Sequence, residues 1–339
     1  MATPAGRSAR LALALWILAG LSCLFPAVAH AQGAWLPVRG EGSVSLTFQS
    51  LRFSGHFDTD GSRLPECAPS SAYLGIAEVE YGWTDKVAVR ARLPYVASRF
   101  TGAHDELCID ELHKLYEDLC RLYPGECRSS TDTGNYYATF QDFGFSLRYS
   151  LIEGAIAVAP VIAATIPSHA YHTIGEAAPG QRAPALLLGV NIGALTEPLL
   201  PRGYVQLRYG YSFVQPQYGV SLNRSNAEFE AGFSVTPIVQ VRGLVAWQQT
   251  HGGVTYYESV DRGFAGEPQI FFDHDRLLKN RYLHIGGGAT IALTDSIDLD
   301  AAVVTFAAGA DSHYGVGIAA GLTWRVFSPK APSPSNPSR

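Results

Sequence analysis

The sequence contains no long apolar segment beyond its N-terminus, and this absence excludes a helical membrane protein. The longest later apolar stretch, residues 155–166, contains Pro160 and is shorter than the roughly 20 residues that a spanning helix needs. Charged residues make up only 16% of the chain, and the formal net charge of -5 provides no basic surface for nucleic acid. Because the chain has no such basic surface, no nucleic-acid partner is expected. Methionine occurs once, whereas glycine and aromatic residues are spread along the whole chain.

The N-terminal residues have the arrangement of a secretory signal peptide, with a basic region, an apolar run and a cleavage site in that order. Arg7 and Arg10 precede an apolar run over residues 11–21, and a small-x-small tripeptide follows at residues 29–31. The apolar run is too short for a membrane anchor. We predict a signal peptide over residues 1–31 and hence an exported protein.

Period-2 alternation is the repeated pattern of the mature chain. In residues 141–149, large apolar side chains occupy every second position, and Asp142, Gly144, Ser146 and Arg148 lie between them. The same alternation recurs over residues 204–213, 226–235 and 314–326. Strands that place one face against lipid and the other in a polar lumen show this pattern.

Short turns and long loops also alternate along the chain, as they do in transmembrane barrels. Together these patterns predict an all-β fold: a transmembrane, antiparallel up-and-down β-barrel over residues 32–327, in the outer membrane of a Gram-negative bacterium. A soluble β-sandwich or propeller is disfavoured because its outer faces would be polar. Residues 328–339 are rich in proline and serine and are predicted to be a disordered tail. The predicted strands, about twelve in number, lie near residues 42–54, 71–81, 86–99, 136–149, 155–166, 183–195, 203–214, 224–235, 238–249, 281–293, 297–307 and 313–327.

In one long loop, the spacing of apolar residues changes from the two-residue period of strands to that of a helix. Apolar residues recur at helical spacing over residues 105–122, and Pro124-Gly125 ends the pattern. This predicts a helical, cysteine-containing extracellular insert. Two interpretations remain open: a lid over the barrel mouth, or a loop that folds on itself.

Four cysteines remain after the signal peptide, and in an oxidising compartment they are expected to form disulfides. The sequence has no close Cys-x-x-Cys pair, so a zinc site formed by these cysteines is disfavoured. On one continuous helix, Cys108 and Cys120 would lie about 18 Å apart, which is too far for a bond that needs roughly 7 Å. We therefore predict Cys120–Cys127 together with Cys67–Cys108. The pairing of Cys67 with Cys120 and of Cys108 with Cys127 stays open.

The inward strand positions carry charges of both signs. Across their hairpins, Glu78 is expected near Arg90 and Glu230 near Arg242. One interpretation is a size-limited path with charge rings that select solutes; the other is a set of ion pairs that fills a narrow lumen. The predicted lumen-lining residues are Glu78, Glu80, Arg90, Arg92, Asp142, Arg148, Gln206, Arg208, Glu228, Glu230, Gln240, Arg242, His284, Asp298, Asp300 and Arg325.

Two motifs carry a family resemblance. Residues 80–89 (EYGWTDKVAV), followed by LPYV at 93–96, resemble a hairpin typical of the phenol-degradation meta-pathway family of outer-membrane proteins. Residues 142–151 (DFGFSLRYSL) are similar to the next strand of that family. The resemblance implies a barrel that passes small, often aromatic or hydrophobic, molecules. The insert over residues 101–134 and the tail after Phe327 depart from the family pattern.

We therefore expect an outer-membrane channel or transporter for passive passage of small, aromatic or hydrophobic molecules. The expected partners are outer-membrane lipid, small-molecule solutes and the barrel-assembly machinery, which commonly recognises a terminal aromatic residue such as Phe327. An outer-membrane lipid hydrolase, or a structural or surface-recognition barrel with a plugged lumen, is the alternative.

No enzyme, cofactor or metal is predicted. The chain has no Gly-x-Ser-x-Gly elbow, and sequence places no serine beside His284, the one clear inward histidine on a strand. His169 and His172 in one loop, and residues 273–275 in another, are isolated groups of possible metal ligands.

Overall fold

The computed structural model describes residues 33–101, 111–127 and 130–327. The predicted signal peptide, the tail and Cys108 lie outside these residues. The helices are α1 (Glu111–Leu122), α2 (Tyr256–Phe264), α3 (Pro268–Phe272) and α4 (His274–Leu277). The strands are β1 (Gly42–Phe57), β2 (Arg63–Thr84), β3 (Val87–Arg99), β4 (Tyr137–Phe140), β5 (Phe143–Tyr149), β6 (Ile156–Ile166), β7 (Ala185–Leu195), β8 (Gly203–Val214), β9 (Arg224–Ser234), β10 (Val239–Thr250), β11 (Arg281–Thr294), β12 (Ile297–Ala310) and β13 (Ser312–Phe327).

The strands close into one antiparallel barrel. Apart from β4 and β5, each strand pairs with its neighbours in sequence, and β1 also pairs with β13, which closes the sheet. The segments β4 and β5 both pair with β3 and act as one interrupted strand, which makes a ring of twelve in the described part of the chain. The predicted fold class and strand number are confirmed.

The outer face of the barrel is apolar, as the alternation predicts. On β5, Phe145 and Leu147 are exposed, whereas Arg148 between Leu147 and Tyr149 is buried on the inner face. The same outward exposure is found on neighbouring strands for Leu46, Phe48, Tyr95, Ile162, Leu188, Leu207, Phe229, Ile285, Val303, Ile318 and Leu322. An apolar belt of this kind lies against lipid. No helix among the described residues is long and apolar enough to cross a membrane.

The first hairpin is longer than predicted. The predicted strands ended near residue 54 and resumed near residue 71, but β1 continues to Phe57 and β2 begins at Arg63. A tight turn joins them, in which the Asp58 N–H donates to the Ser62 carbonyl at 2.9 Å. The strands continue because their partners continue with them: Phe57 pairs with both Arg63 and Ser312.

The long loops fold together above the barrel end opposite the short turns. On α1, Leu119 is buried in a cluster with Phe271 and Phe272 of α3, and the Tyr116 ring lies 5.2 Å from the Phe272 ring. The predicted disulfide Cys120–Cys127 is confirmed, with a Cα–Cα distance of 5.0 Å. Its predicted companion, Cys67–Cys108, involves a residue outside the described part and stays a prediction.

Candidate functional site: the barrel lumen

The short turns and the two strand ends Gly42 and Phe327 lie at one end of the barrel, which is therefore periplasmic. The predicted charged residues lie on inner faces toward this end. Six arginines and six carboxylates form the set, which we call the charge-paired half: Arg90, Arg92, Arg148, Arg208, Arg242, Arg325, Glu78, Glu80, Glu228, Glu230, Asp298 and Asp300.

One cluster of this half joins β2, β3 and β5. Strand register places Glu80 opposite Arg90 and Glu78 opposite Arg92, so the predicted Glu78–Arg90 pair is diagonal. Arg90 nevertheless reaches both carboxylates, with its Nε 3.4 Å from Glu78 and an Nη 2.8 Å from Glu80. Arg148 also pairs with Glu80. Each carboxylate therefore has a guanidinium partner.

A second cluster surrounds Glu230. Its carboxylate accepts hydrogen bonds from the Tyr204 hydroxyl at 2.7 Å and from the Gln206 amide at 2.8 Å. The predicted partner Arg242 places its Nε 3.5 Å from Glu230 and an Nη 2.8 Å from Asp300. This network links four strands, because Asp300 comes from β12.

Two further pairs belong to the charge-paired half. Arg208 lies 3.3 Å from Glu228, and these side chains remain 31% and 38% exposed although they point inward. Arg325 binds Asp298 at 2.8 Å. Gln240 also faces this region, and its Nε2 is buried without a hydrogen-bond partner among the described residues. The charges are thus largely neutralised by neighbours, while some retain contact with open space.

The segment before β1, residues 33–41, enters the lumen from the periplasmic end. The Gly33 carbonyl accepts hydrogen bonds from Arg148 Nη1 at 3.0 Å and from Asn191 Nδ2 at 2.9 Å. Trp35 donates its Nε1–H to the Gly154 carbonyl at 3.0 Å. Glycine at position 193 leaves room for the Trp35 ring, because a Cβ there would lie 2.5 Å from it. The segment narrows this end, and sequence analysis did not predict it.

The extracellular half has a different inner face. Leu74, Ile76 and Val96 form a buried apolar cluster on β2 and β3, against which Leu51 of β1 packs. These residues were not predicted to line the lumen, because only polar side chains were expected on the inner face. The alternation along β2 nevertheless indicates that they face inward, because Leu74 and Ile76 lie on the same face of the strand as Glu78 and Glu80.

A row of rings continues this apolar face. His284, the remaining predicted lumen residue on a strand, lies between Tyr282 and Phe306, with ring-centroid distances of 4.2 Å and 4.0 Å. Phe53 lies 5.6 Å from Phe306 and 5.4 Å from His313. We call these five residues the ring row.

The β6–β7 loop, residues 167–184, folds inward above the lumen. Predicted residue Asp142, in the break between β4 and β5, accepts a hydrogen bond from the Tyr171 hydroxyl of this loop at 2.5 Å. Near the loop tip, the Ser98 hydroxyl donates to the Ala177 carbonyl, and Glu176 lies 3.2 Å from His313 Nε2. The loop therefore crosses from β3 to β13.

Asp132 holds the tip of this loop from the β3–β4 connection. Its carboxylate accepts the Glu176 N–H at 3.0 Å and the Ala177 N–H at 2.8 Å. Burial raises the pKa of Asp132 above its ordinary value, an effect that these two hydrogen bonds oppose.

The isolated groups of possible metal ligands have protein partners. Asp273 accepts a hydrogen bond from Thr173 at 2.9 Å and pairs with Arg276 at 3.1 Å. His169 Nε2 lies 3.0 Å from the Thr139 hydroxyl. Within the described ranges, no group of three or more His, Cys, Asp or Glu side chains is arranged to hold a metal ion.

Comparison with known proteins identifies similar folds. No family model matches the chain, and no curated protein matches its sequence. The COG4313 outer membrane channel from Pseudomonas putida F1 is similar with a TM-score of 0.60 and 12% identity, covering 88% of this chain and 99% of that one. The NanC porin gives a TM-score of 0.46 at 8% identity, covering 83% and 100%.

At 12% identity, the likeness to the first structure shows the fold alone. That fold is an outer-membrane barrel, and the predicted location in a Gram-negative outer membrane is confirmed. Membership of the phenol-degradation family stays a prediction.

Proposed function

We propose that this chain is an outer-membrane channel for passive passage of small molecules, including aromatic and hydrophobic ones. One observation carries the proposal: Arg208 and Glu228 point inward yet remain 31% and 38% exposed. A plugged interior would bury these charges, at a cost that only complete pairing offsets. Open space beside them is what a solute path requires. The similar fold from Pseudomonas putida F1 belongs to a channel, which agrees with this proposal.

The inner wall supports a preference for small neutral or weakly polar solutes. Paired charges in the charge-paired half give fields that largely cancel, so they do not favour one sign strongly. Toward the outside, the inner face is apolar: Leu74, Ile76 and Val96 are buried in one cluster, and the rings of Phe53 and Phe306 are only partly buried. A solute with an apolar body gains from contact with the exposed parts of those rings. The family resemblance points to the same class.

Liposome swelling tests the proposal. We expect purified protein in liposomes to admit small neutral solutes, with rates that fall steeply as the solutes approach disaccharide size. Swelling should not occur in liposomes that lack the protein. Failure to admit any solute, together with no conductance in planar bilayers, would contradict the proposal and favour a structural barrel closed by its loops.

Lipid hydrolysis is a second candidate, favoured by one hydrogen bond. The Ser225 hydroxyl lies 2.7 Å from His251 Nε2, on the face of β9 that points outward. A serine nucleophile needs such a base, but Ser225 is only 4% exposed. The Tyr211 ring also stacks on His251 at 5.6 Å. We therefore expect no lysophospholipid release by the purified protein. Release that is lost in Ser225→Ala would establish the hydrolase instead.

A further inference from the structure

We infer that the inner wall near the extracellular end carries a binding site for small aromatic molecules, formed by Phe53, His284 and Phe306 of the ring row. The inference rests on the proposed function, because a solute reaches these rings from within the lumen.

The three rings lie at one level across neighbouring strands. His284 of β11 is opposite Phe306 of β12, and their ring centroids are 4.0 Å apart. On the next strand, β13, the position beside Phe53 is Gly315. Because Gly315 has no side chain, Phe53 of β1 meets Phe306 across β13 in an edge-to-face arrangement at 5.6 Å. The register thus assembles one continuous aromatic surface from residues far apart in sequence.

The row extends at both ends. Tyr282 stacks on His284 with an interplanar angle of 11°, and its hydroxyl donates to Gln248 at 3.1 Å. His313 lies 5.4 Å from Phe53 at the other end. Such rings present faces and edges of opposite partial charge, so a solute ring can add to the row in the same geometries. An aliphatic ring of the same size lacks this term.

A polar contact is available beside the rings. His284 Nε2 is buried and has no hydrogen-bond partner among the described residues. An unpaired ring nitrogen in an apolar setting is unfavourable, and a hydroxyl that donates to it, or a group that accepts from its N–H, would remove that cost. A solute that binds this nitrogen would turn the His284 ring about its second side-chain torsion, which is soft, at the expense of part of its stacking on Tyr282. The site therefore fits an aromatic ring with one small polar substituent.

The β6–β7 loop places this wall beside the path. Glu176 of that loop lies 3.2 Å from His313, a member of the row. The loop tip therefore stands against one end of the rings, and a solute that passes between loop and wall must cross them.

Two matched alcohols test the inference: benzyl alcohol and cyclohexylmethanol, which differ in the aromaticity of the ring. We expect saturation-transfer NMR, corrected with empty micelles, to show about three- to tenfold tighter binding of benzyl alcohol to folded wild-type protein. Phe306→Leu and Phe53→Leu should each remove most of this preference. Phe48→Leu is the control, because Phe48 lies on β1 with Phe53 but faces lipid and is 54% exposed.

The folded state of each variant is checked by its change in gel mobility on boiling, and two inner-wall variants keep the test decisive if one fails to fold. Equal binding of the two alcohols to wild type, or an equal loss in Phe48→Leu, would overturn the inference. Aromatic-selective binding without liposome swelling would support the site while contradicting the channel. Liposome swelling without any preference for the aromatic alcohol would support the channel while contradicting the aromatic site.

Discussion

The two halves of the lumen differ in how their inner faces are used. In the charge-paired half, Glu230 and Arg242 use their polar atoms on partners from neighbouring strands. In the other half, the rings of Phe53 and Phe306 meet edge to face and are only partly buried. One half is thus held together by its own side chains, and the other is suited to contact a solute. The difference shows that a single barrel provides two environments along its axis.

The two ends of the lumen are also narrowed in different ways. At the periplasmic end, residues 33–35 are held by three hydrogen bonds, two from Arg148 and Asn191 to the Gly33 carbonyl and one from Trp35 to the Gly154 carbonyl. At the other end, the β6–β7 loop is held by Asp132, Ser98 and His313 from separate elements. We therefore expect the periplasmic segment to be displaced more readily.

The largest effect should come from displacing that segment. In Gly193→Val, the new side chain overlaps the Trp35 ring, since a Cβ alone would lie 2.5 Å from it. Single-channel conductance should rise several-fold because residues 33–35 leave the lumen. Gly75→Val is the control, because a Cβ at Gly75 meets nothing within 4 Å. Unchanged conductance in Gly193→Val would show that the segment does not limit the path.

Stability of the charge-paired half should depend on Glu230. In Glu230→Gln, Arg242 loses one carboxylate and Tyr204 loses a charged acceptor. We expect the free energy of unfolding, from urea titration in lipid bilayers, to fall by about 3 kcal/mol. Glu153→Gln in an exposed turn should change it little. Equal values for the two variants would mean that the network does not stabilise the barrel.

Ion selectivity should separate exposed pairs from covered ones. Removing one negative charge leaves an unpaired arginine, so selectivity should shift toward anions. The shift should be larger in Glu228→Gln than in Glu78→Gln, because Glu228 is 38% exposed and Glu78 is 25% exposed. In addition, Arg90 keeps Glu80 as a partner when Glu78 is replaced. Reversal potentials in a salt gradient would measure both shifts. The opposite order would place the open path on the Glu78 side.

A smaller effect should appear in the pH dependence of the extracellular loops. The pKa of Asp132 is raised in the folded protein, chiefly by burial and further by the nearby Asp275. The folded state therefore holds this proton more tightly than the unfolded state, and its contribution to stability falls as the pH rises from the ordinary value of 3.8 through the raised one. Hydrogen exchange of the β6–β7 loop should show this slope.

Asp132→Asn should flatten the slope, because the amide does not titrate in this range. A slope that persists unchanged in Asp132→Asn would assign it to another group.

Sequence alternation predicted the barrel because one repeated constraint, lipid on one side, fixes every second residue. It also predicted the pairs Glu78–Arg90 and Glu230–Arg242, which a hairpin brings together. It could not predict the ring row, because Phe53 and Phe306 meet only when β1 and β13 close the sheet. That contact depends on the registers of three strands, β1, β13 and β12, at once.

The helices of the last long loop show a different limit. Residues 255–258 carry a capping box, in which Thr255 accepts from the Glu258 N–H and Glu258 accepts from the Thr255 N–H. A Thr-x-x-Glu spacing is a general signal for a helix start, but no helix was predicted in this loop. The packing of α3 against α1 was not accessible, because loop-to-loop contacts such as Leu119 with Phe271 follow no periodic pattern.

Blocking the lumen from within tests the central claim most directly. Ala302 of β12 shares the inward face of Asp300, and Ala301 faces outward. We expect a bulky thiol reagent to reduce the single-channel conductance of Ala302→Cys strongly and to leave that of Ala301→Cys unchanged. Equal responses of the two variants, or no current from folded protein, would contradict a solute path through the barrel.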